Sequence, residues 1–589
     1  MTLLYLLLFL PAIKASVPFV FRQKFSAEFG VCEDFLQHVC NLKENKPEDF
    51  LRNNELSGFQ KAIEEPFFES DDVGLNRIRN LYYVEEEHNR LWKMGNETGV
   101  IVAKNESDIL VKFVQEGGMT TIQITTKSEP EASSRHCVIT ACPSFIQGIV
   151  RGFKMAEGPE DKLSPLAVVQ LSDKIEIPKI ELDEQTKKDI SRKLLRDNGF
   201  QMYVNVIVVK LAVKNGIHLT PEGREKLQNM TREITQAIIQ KIQVSTSIST
   251  SVQNIFKALK WLENRDEIVT FYKNIEFTFD IPQQFIDRPE LIDEQLAFFE
   301  KMVQDYYQKA LQKKGACDTT CQKGVLSTLY LLAFERYNQD HPDNLGYLIP
   351  PGERLPTTLV GFGGRNKGTS VLLYPETVQI MNDPSVPEGL LYGTVGYILA
   401  HELFHSIGFN EAETAHMREL AADPRFKSAA ECYAEHYSSL LVYNKSTTLP
   451  LEVKVDGKQK IDEGYADIEG ARLLYGILKE KMLRAAPTEK KEKKMKKREA
   501  KKAKKDKKTE AKSVEVDELK WFFYGVGSTW CPNFATQDPL TTLEKSHPAF
   551  IVRTNALLKQ IPEFAKHFGC GKNDKMFQSK NICNAFPKK

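Results

Sequence analysis

The sequence has few of the features that mark a nucleic-acid-binding or membrane-spanning protein. Its 80 basic and 79 acidic residues leave a net charge of +1, so the overall charge indicates no polyanionic partner such as nucleic acid. After the first residues of the chain, no stretch reaches the roughly 18 consecutive apolar residues that a membrane-spanning helix needs. The ten cysteines include no Cys-x-x-Cys pair, which argues against a zinc ribbon and a thioredoxin-like redox site. No segment recurs at a fixed period.

The first 16 residues are typical of a secretory signal peptide, although no basic residue precedes their apolar run. That run, residues 3–10, is too short to cross a bilayer, and the small residues Ala15 and Ser16 follow it. An apolar N-terminus packed in the core is the alternative. We expect cleavage of residues 1–16 and a secreted, extracellular protein.

Two further features agree with secretion. The even number of cysteines suits a disulfide-bonded chain, and buried free thiols of a cytosolic protein are the alternative. Four glycosylation sequons add weak support: Asn96, Asn105, Asn229 and Asn444.

Helical periodicity dominates the chain before residue 340. Three long runs have apolar residues three and four apart: residues 183–198, 221–244 and 290–314. Three shorter pieces resemble strands: residues 99–102, 120–125 and 203–209. A segment rich in Pro, Gly and Leu follows at residues 346–360. Residues 369–374 are expected to form an edge strand near a helix that contains residues 395–405. We therefore predict two lobes, a mostly helical one over residues 17–339 and a second one over residues 340–589.

A lysine-rich insertion, residues 487–515, differs from the rest of the chain. Within it, residues 490–512 carry 14 Lys or Arg and 4 Asp or Glu. A like-charged block of this length is usually a solvated loop, because its charges repel one another. The alternative is an electrostatic contact with anionic glycans or a membrane surface.

The pattern His401-Glu402-Leu403-Phe404-His405 is the strongest functional signal in the sequence. Two histidines four residues apart on a helix face the same way and can bind one metal ion, and the glutamate lies near the same face. In zinc peptidases with this pattern the histidines bind Zn²⁺, and the carboxylate accepts a proton from the attacking water. The apolar, proline-free residues 395–400 favour a buried helix. A helix that carries two histidines by chance is the alternative.

Catalytic zinc normally has three protein ligands, so the two histidines leave one to be found. Glu463 lies 58 residues after His405, and Asp467 shares its helical face four residues later. One of these carboxylates can bind zinc while the other accepts the N–H of a ligating imidazole. A solvated helical pair is the alternative.

Together these residues resemble the neprilysin and endothelin-converting-enzyme family of zinc metallopeptidases. Landmarks near both termini carry the same resemblance: Cys32-Glu33-Asp34-Phe35, Cys40, Phe522-Phe523, Trp530-Cys531, His547, Arg553, Glu563-Phe564, Cys570 and Cys583. The resemblance implies a mainly α fold with a minor α+β part, in which a helical lobe covers the cleft of a thermolysin-like zinc lobe. It also implies one Zn²⁺ per chain.

The resemblance implies a role for each site residue. Three residues would bind zinc: His401, His405 and Glu463. Glu402 would be the general base, and Asp467 would orient His401. His547 would hydrogen-bond the oxyanion, a contact whose loss typically costs about 10²–10³ in turnover. Arg553 would hold a substrate carbonyl.

The resemblance also implies three disulfides: Cys32–Cys570, Cys40–Cys531 and Cys432–Cys583. Four cysteines are left over: Cys137, Cys142, Cys317 and Cys321. Local pairs are expected, but four cysteines allow three connectivities.

The chain departs from the family pattern around the zinc ligands rather than at them. The family's substrate strand has an Asn-Ala-aromatic motif, whereas residues 360–364 here are Val-Gly-Phe-Gly-Gly. The family has an aspartate shortly after the second histidine to orient that ligand, whereas residues 407–410 here are Ile-Gly-Phe-Asn. Lys545 replaces an aspartate near the catalytic histidine, and Phe586 replaces the terminal tryptophan. Losing such a partner typically costs about 10–100-fold in metal affinity or activity. Because the zinc ligands themselves are kept, we expect zinc binding to survive.

The sequence therefore predicts a secreted zinc endopeptidase that cleaves small peptides on the amino side of hydrophobic residues. The alternative is a zinc-bound neprilysin-like protein with weakened or no turnover, which binds peptides or a partner. Retention of Glu402 and His547 favours the enzyme, because neither residue is needed to hold zinc. The altered substrate strand favours the binding protein.

Overall fold

The computed structural model describes most, but not all, of the chain. The described residues are 24–46, 58–98, 100–102, 110–116, 119–125, 181–197, 199–243, 265–279, 281, 283–314, 317, 319–340, 363–407, 422, 424–443, 452–485, 507–531 and 545–584. Several predictions therefore fall outside them: the signal peptide, Cys137, Cys142, Asn105, Asn444, Phe586 and residues 487–506 of the lysine-rich insertion.

The fold is mainly helical, and this prediction is confirmed. The helices before residue 341 are α1 (Phe35–Cys40), α2 (Gly58–Glu69), α3 (Val73–Thr98), α4 (Glu184–Leu194), α5 (Gln201–Lys214), α6 (Pro221–Gln243), α7 (Arg265–Lys273), α8 (Gln283–Asp287), α9 (Glu290–Lys314) and α10 (Thr319–Asp340). The later helices are α11 (Pro375–Val378), α12 (Glu388–Leu391), α13 (Tyr397–His405), α14 (Pro424–Ser438), α15 (Ile461–Ala485), α16 (Lys507–Ser528), α17 (Phe550–Lys559) and α18 (Pro562–Phe568). Two 3₁₀ turns (Gln379–Asn382 and Gly457–Lys460) and a π-helical turn (Tyr392–Gly396) complete the helical elements described.

In the part of the chain that the structure describes, eight short strands form three small sheets. They are β1 (Val100–Val102), β2 (Leu110–Glu116), β3 (Met119–Thr125), β4 (Glu276–Phe279), β5 (Gly364–Lys367), β6 (Ser370–Leu373), β7 (Leu441–Tyr443) and β8 (Glu452–Lys454). The sheets have the orders β1-β2-β3, β4-β6-β5 and β7-β8. Strand β6 pairs in parallel with β4 and antiparallel with β5, so the strand expected at a sheet edge is central and β5 lies at the edge.

The strand predicted at residues 203–209 is wrong, because these residues belong to helix α5. Nearly every residue of α5 is buried, from Gln201 through Ala212. A helix that is apolar on all sides has no polar stripe, so its sequence cannot be told from that of a buried strand by periodicity.

Two hydrophobic cores divide the described residues, and the lobe boundary at residue 340 stays a prediction. One core joins α2, α5, α9 and α10. The other surrounds the histidine helix α13 and takes in buried residues of α1, α6 and α7. The buried faces of α6 and α7 therefore belong to the core around α13 rather than to the core around α5.

Disulfides attach the N-terminal segment to the C-terminal lobe. The structure contains the three implied pairs, Cys32–Cys570, Cys40–Cys531 and Cys432–Cys583. A fourth pair, Cys317–Cys321, joins Cys317 to the first turn of α10. Closing a loop as long as the 538 residues between Cys32 and Cys570 restricts the unfolded chain strongly.

Close packing of α13 against α15 brings the two halves of the predicted site together. A Cβ atom at Gly470 would lie 3.1 Å from the backbone nitrogen of His401, so the absence of a side chain at Gly470 permits this approach. On the other side, the Tyr272 hydroxyl donates to the Leu403 carbonyl at 3.0 Å. In the part of the chain that the structure describes, no helix has the length and apolar character needed to span a membrane.

Candidate metal centre

Helix α13 carries both motif histidines on the face that meets α15. One helical turn separates His401 from His405, and their Nε2 atoms lie 2.9 Å apart. His401 is buried, and the His405 side chain is 17% exposed. The predicted convergence of the two imidazoles is thus present in the structure.

The third predicted ligand reaches the same point from the first turn of α15. Glu463 Oε2 lies 3.4 Å from His401 Nε2, and Glu463 Oε1 lies 3.7 Å from His405 Nε2. The three residues offer ligand atoms that all lie within 4.8 Å of one another. Zinc–ligand distances of about 2.0–2.1 Å put tetrahedral ligand atoms about 3.3 Å apart, so this donor set fits Zn²⁺.

Asp467 supports His401 from behind. Its Oδ1 lies 2.9 Å from His401 Nδ1, which leaves Nε2 to face the other ligand atoms. The Tyr397 hydroxyl donates to the same oxygen at 2.6 Å. Burial opposes ionisation of Asp467, but the Arg553 cation and His401 lower its pKa well below the usual range, so it is a carboxylate.

Arg553 is buried between Asp467 and Trp530. Its Nε and Nη2 donate to the two oxygens of Asp467 at 2.7 and 2.8 Å, and its guanidinium lies 4.4 Å from the Trp530 ring centre. The Arg553 side chain is 4% exposed. Nη2 also lies 3.4 Å from His401 Nε2, at the edge of the ligand cluster. Its contact with a substrate carbonyl stays a prediction.

Glu402 is buried beside strand β5. A Cβ atom at Gly364 would lie 2.8 Å from Glu402 Cγ, so the bare backbone of β5 leaves room for this side chain. Burial raises the pKa of Glu402 although both motif histidines lower it. A carboxylate with a raised pKa is a stronger proton acceptor when ionised.

His547 approaches the ligands from the segment before α17. Its Nε2 lies 3.0 Å from Glu463 Oε1, while the side chain is 57% exposed. The buried Lys460 ammonium donates to the Lys545 carbonyl and so attaches this segment to the start of α15. The structure therefore brings all seven predicted site residues into one cluster.

Comparisons with known proteins agree with this geometry. The family model described as peptidase family M13 matches residues 371–583, which contain the whole cluster. Endothelin-converting enzyme-like 1 of Rattus norvegicus is 24% identical over 304 residues, covering 50% of this chain and 32% of the relative. Neprilysin-1 of Caenorhabditis elegans is 22% identical over 200 residues, covering 32% of this chain and 23% of the relative.

Residues 371–583 thus match peptidase family M13, which confirms the predicted resemblance to the neprilysin and endothelin-converting-enzyme family of zinc metallopeptidases. The chain matches only about a third or less of the length of these curated relatives. A solved structure, the Mycobacterium tuberculosis zinc metalloprotease ZMP1 in complex with inhibitor, covers 95% of this chain and 98% of its own, with 12% identity and a TM-score of 0.47.

Sequence reasoning missed a carboxylate beside His405. Asp462 Oδ2 lies 3.3 Å from His405 Nδ1, on the side of the ring away from the other ligands. The family resemblance implies an aspartate shortly after the second histidine to orient that ligand, and no aspartate occupies residues 407–410 here. The only sequence signal was the position of Asp462 next to Glu463. Because neighbouring helical residues point about 100° apart, the sequence did not show which side chain Asp462 contacts.

Sequence reasoning also missed how the edge strand is attached to the histidine helix. Asn366 of β5 donates from Nδ2 to the Glu402 carbonyl at 2.7 Å and to Ser406 Oγ at 2.8 Å. Its Oδ1 accepts from the Gly368 backbone at 2.8 Å. Residues 360–362, where the family's Asn-Ala-aromatic motif is replaced, lie outside the described residues.

Among the predicted glycosylation sites, Asn229 can be located in full. It is exposed on α6, and its side-chain oxygen accepts from Arg232 at 2.6 Å. The side chain of Asn96 in α3 lies outside the described part.

Proposed function

We propose that this chain is a zinc-dependent endopeptidase that hydrolyses small peptides. The observation that carries the proposal is the convergence of His401, His405 and Glu463, with Glu402 on the same helix. Bound zinc would supply a Lewis acid that polarises the scissile carbonyl and acidifies water.

The chain's own groups have distinct roles in the proposed reaction. Glu402 accepts the proton of the attacking water and delivers it to the leaving amine. His547, 3.0 Å from Glu463 and partly exposed, is placed to donate to the oxyanion. Asp467 holds His401, and Arg553 fixes Asp467. The family resemblance alone assigns Arg553 a contact with a substrate carbonyl, whereas the contacts around His401 and Asp467 support their two roles.

The position of strand β5 favours an extended peptide as the substrate. It is an edge strand in the described sheet, and it lies beside Glu402 through Gly364. An edge strand has backbone groups that can pair with an extended peptide. We propose cleavage on the amino side of hydrophobic residues by family resemblance, and mass spectrometry of the products from a mixed peptide library would map the cleaved bonds.

Secretion is part of the proposal. Four disulfides in the described residues support an oxidising compartment, in which such bonds persist. Detection of the protein in the medium of expressing cells, with a mass shift on deglycosylation, is the expected result.

The decisive experiment compares wild type with Glu402→Gln on a quenched fluorescent peptide, with zinc content measured for both. We expect chelator-sensitive cleavage by wild type alone and about one zinc in each protein, because the substitution removes the base and leaves the ligands. Equal zinc without turnover in either protein, across a diverse peptide library, would favour the zinc-bound peptide-binding protein instead.

A further inference from the structure

We propose that Asp462 is the residue that positions His405 for zinc binding, in place of the family's aspartate after the second histidine. This inference rests on the proposed zinc function and assigns a positioning role within the same site. Its basis is the placement of Asp462 Oδ2 at 3.3 Å from His405 Nδ1.

The contact is partly buried, which strengthens its effect on the imidazole. The side chains of His405 and Asp462 are only 17% and 15% exposed. A carboxylate at Nδ1 favours the tautomer with the proton on Nδ1, because that nitrogen can then donate to it. The Nε2 lone pair is left for the metal, on the side where His401 and Glu463 converge.

Helix α15, which carries Asp462, also places a carboxylate beside His401. Asp467 lies 2.9 Å from His401 Nδ1, and Glu463 between them in sequence faces both Nε2 atoms. The first turns of α15 thus provide one ligand and a separate carboxylate for each imidazole. No aspartate is then needed in the segment that follows His405.

Two alternatives compete with this role of Asp462. An acidic residue in the first turn also stabilises a helix through the helix dipole, without any effect on zinc. Glu411 and Glu413 follow His405 in sequence, outside the described residues, and either one is an alternative partner for His405.

The test measures zinc affinity directly, by competition with a chelator of known affinity, and does not require turnover. The variants are Asp462→Ala, Asp462→Asn and the matched control Asp456→Ala. Asp456 precedes the same helix and accepts from the Lys458 backbone at 3.1 Å. Glu411→Gln and Glu413→Gln test the alternative partners, and thermal unfolding of the metal-free proteins checks the fold.

We expect Asp462→Ala to weaken zinc binding about 10–100-fold. Asp462→Asn should lose less zinc affinity, because an amide oxygen can still accept from Nδ1. If Asp462→Ala does not fold, Asp462→Asn is the variant that tests the proposal. Asp456→Ala should stay within about twofold of wild type. The d–d spectrum of bound Co²⁺ should change for Asp462→Ala alone, because the orientation of one imidazole changes.

Wild-type zinc affinity in both Asp462 variants would overturn the proposal, and so would a loss confined to Glu411→Gln or Glu413→Gln. Failure of the peptidase proposal looks different. In that case wild type binds zinc without cleaving peptides, while Asp462→Ala still lowers the affinity for zinc. Wild type that binds no zinc would overturn both.

Discussion

The metal centre and the polar cluster of the N-terminal core both bury charged side chains, but only one of them is balanced. In the N-terminal core Arg77 Nη1 lies 2.9 Å from Glu300 Oε2, and Tyr330 donates to the other oxygen of Glu300 at 2.9 Å. Nearby, Tyr203 donates to Asp72 at 2.7 Å, and the buried Arg79 cation interacts with the Asp72 charge. Arginine and carboxylate therefore neutralise each other, as a structural ion pair requires.

The metal centre has more carboxylates than cations. Arg553 is the only arginine or lysine among its described contacts, whereas four carboxyl groups adjoin it: Glu402, Asp462, Glu463 and Asp467. Burial lowers the pKa of His401, but Asp467 and Glu463 outweigh burial and raise it to about 10. The site thus attracts positive charge, either protons or a divalent cation. A bound divalent cation would balance these carboxylates, whereas the N-terminal cluster is balanced by its own arginines.

The largest effect is expected from Arg553→Met. The substitution leaves Asp467 buried with an unpaired charge, and breaking a buried pair in this way costs about 3–5 kcal/mol. The free energy of unfolding, measured by urea denaturation of metal-free protein, should fall by that amount. Arg553→Lys should recover only part of it, because one ammonium cannot reproduce the paired bonds from Nε and Nη2.

Glu300→Gln is the matched change in the balanced cluster. Its side chain is 16% exposed, so we expect a smaller loss of about 1–2 kcal/mol. Zinc affinity should be unchanged by Glu300→Gln. A zinc effect there, or a loss for Arg553→Met no larger than for Glu300→Gln, would contradict the distinction between the two clusters.

Acid should destabilise the core around the metal centre through His436. Its Nε2 donates to the Ala556 carbonyl at 2.9 Å, and its Nδ1 accepts from Gln560 at 3.1 Å. Burial, together with the cations Lys559 and Arg472, lowers the pKa of His436 to about 4, against the opposing effect of the hydrogen bond to Ala556. Among the described side chains around the N-terminal core, no histidine is buried.

The sign of the effect follows from the two pKa values. Between about pH 6.5 and pH 4 the unfolded chain binds a proton at His436 and the folded chain does not, so stability falls as the pH falls. At about 1.4 kcal/mol per pH unit, the loss from pH 6.5 to pH 5 is about 2 kcal/mol. The measurement is the free energy of unfolding of wild type minus that of His436→Gln across this range, which removes contributions from other groups. A difference that does not change with pH would show that His436 is not the sensor.

Spacing along each of two helices was enough to predict which side chains share a face, whereas the choice of Glu463 rather than Asp467 as the zinc ligand came from the family resemblance. His401 and His405 share a face because they are one turn apart, and Glu463 and Asp467 share a face for the same reason. Tyr397, one turn before His401, could have been added by the same rule as a partner of Asp467.

Contacts between separate elements could not be predicted in this way. The target of Asp462 depends on how α15 is rotated against α13, and Gly470 helps to set how closely they pack. Strand β6 is central because its partner β4 lies about 90 residues earlier, a pairing that no local pattern records. The division of the two cores has the same origin, since the buried faces of α6 and α7 could have packed on either lobe.

The smallest effect is expected from Asn366→Ala, which tests the strand rather than the metal. Asn366 is a positioning residue, because its amide joins β5 to the Glu402 carbonyl and to Ser406 without facing the ligands. If β5 orients the peptide beside Glu402, loss of the Asn366 amide should lower kcat/KM about tenfold, or about 1.4 kcal/mol. KM should be more affected than kcat. Ser406→Ala, which removes one of the two bonds, should cost less. Zinc affinity should equal that of wild type in both variants. A parallel loss of zinc would instead assign Asn366 to the stability of the histidine helix, and the edge strand would then have no demonstrated part in holding the substrate.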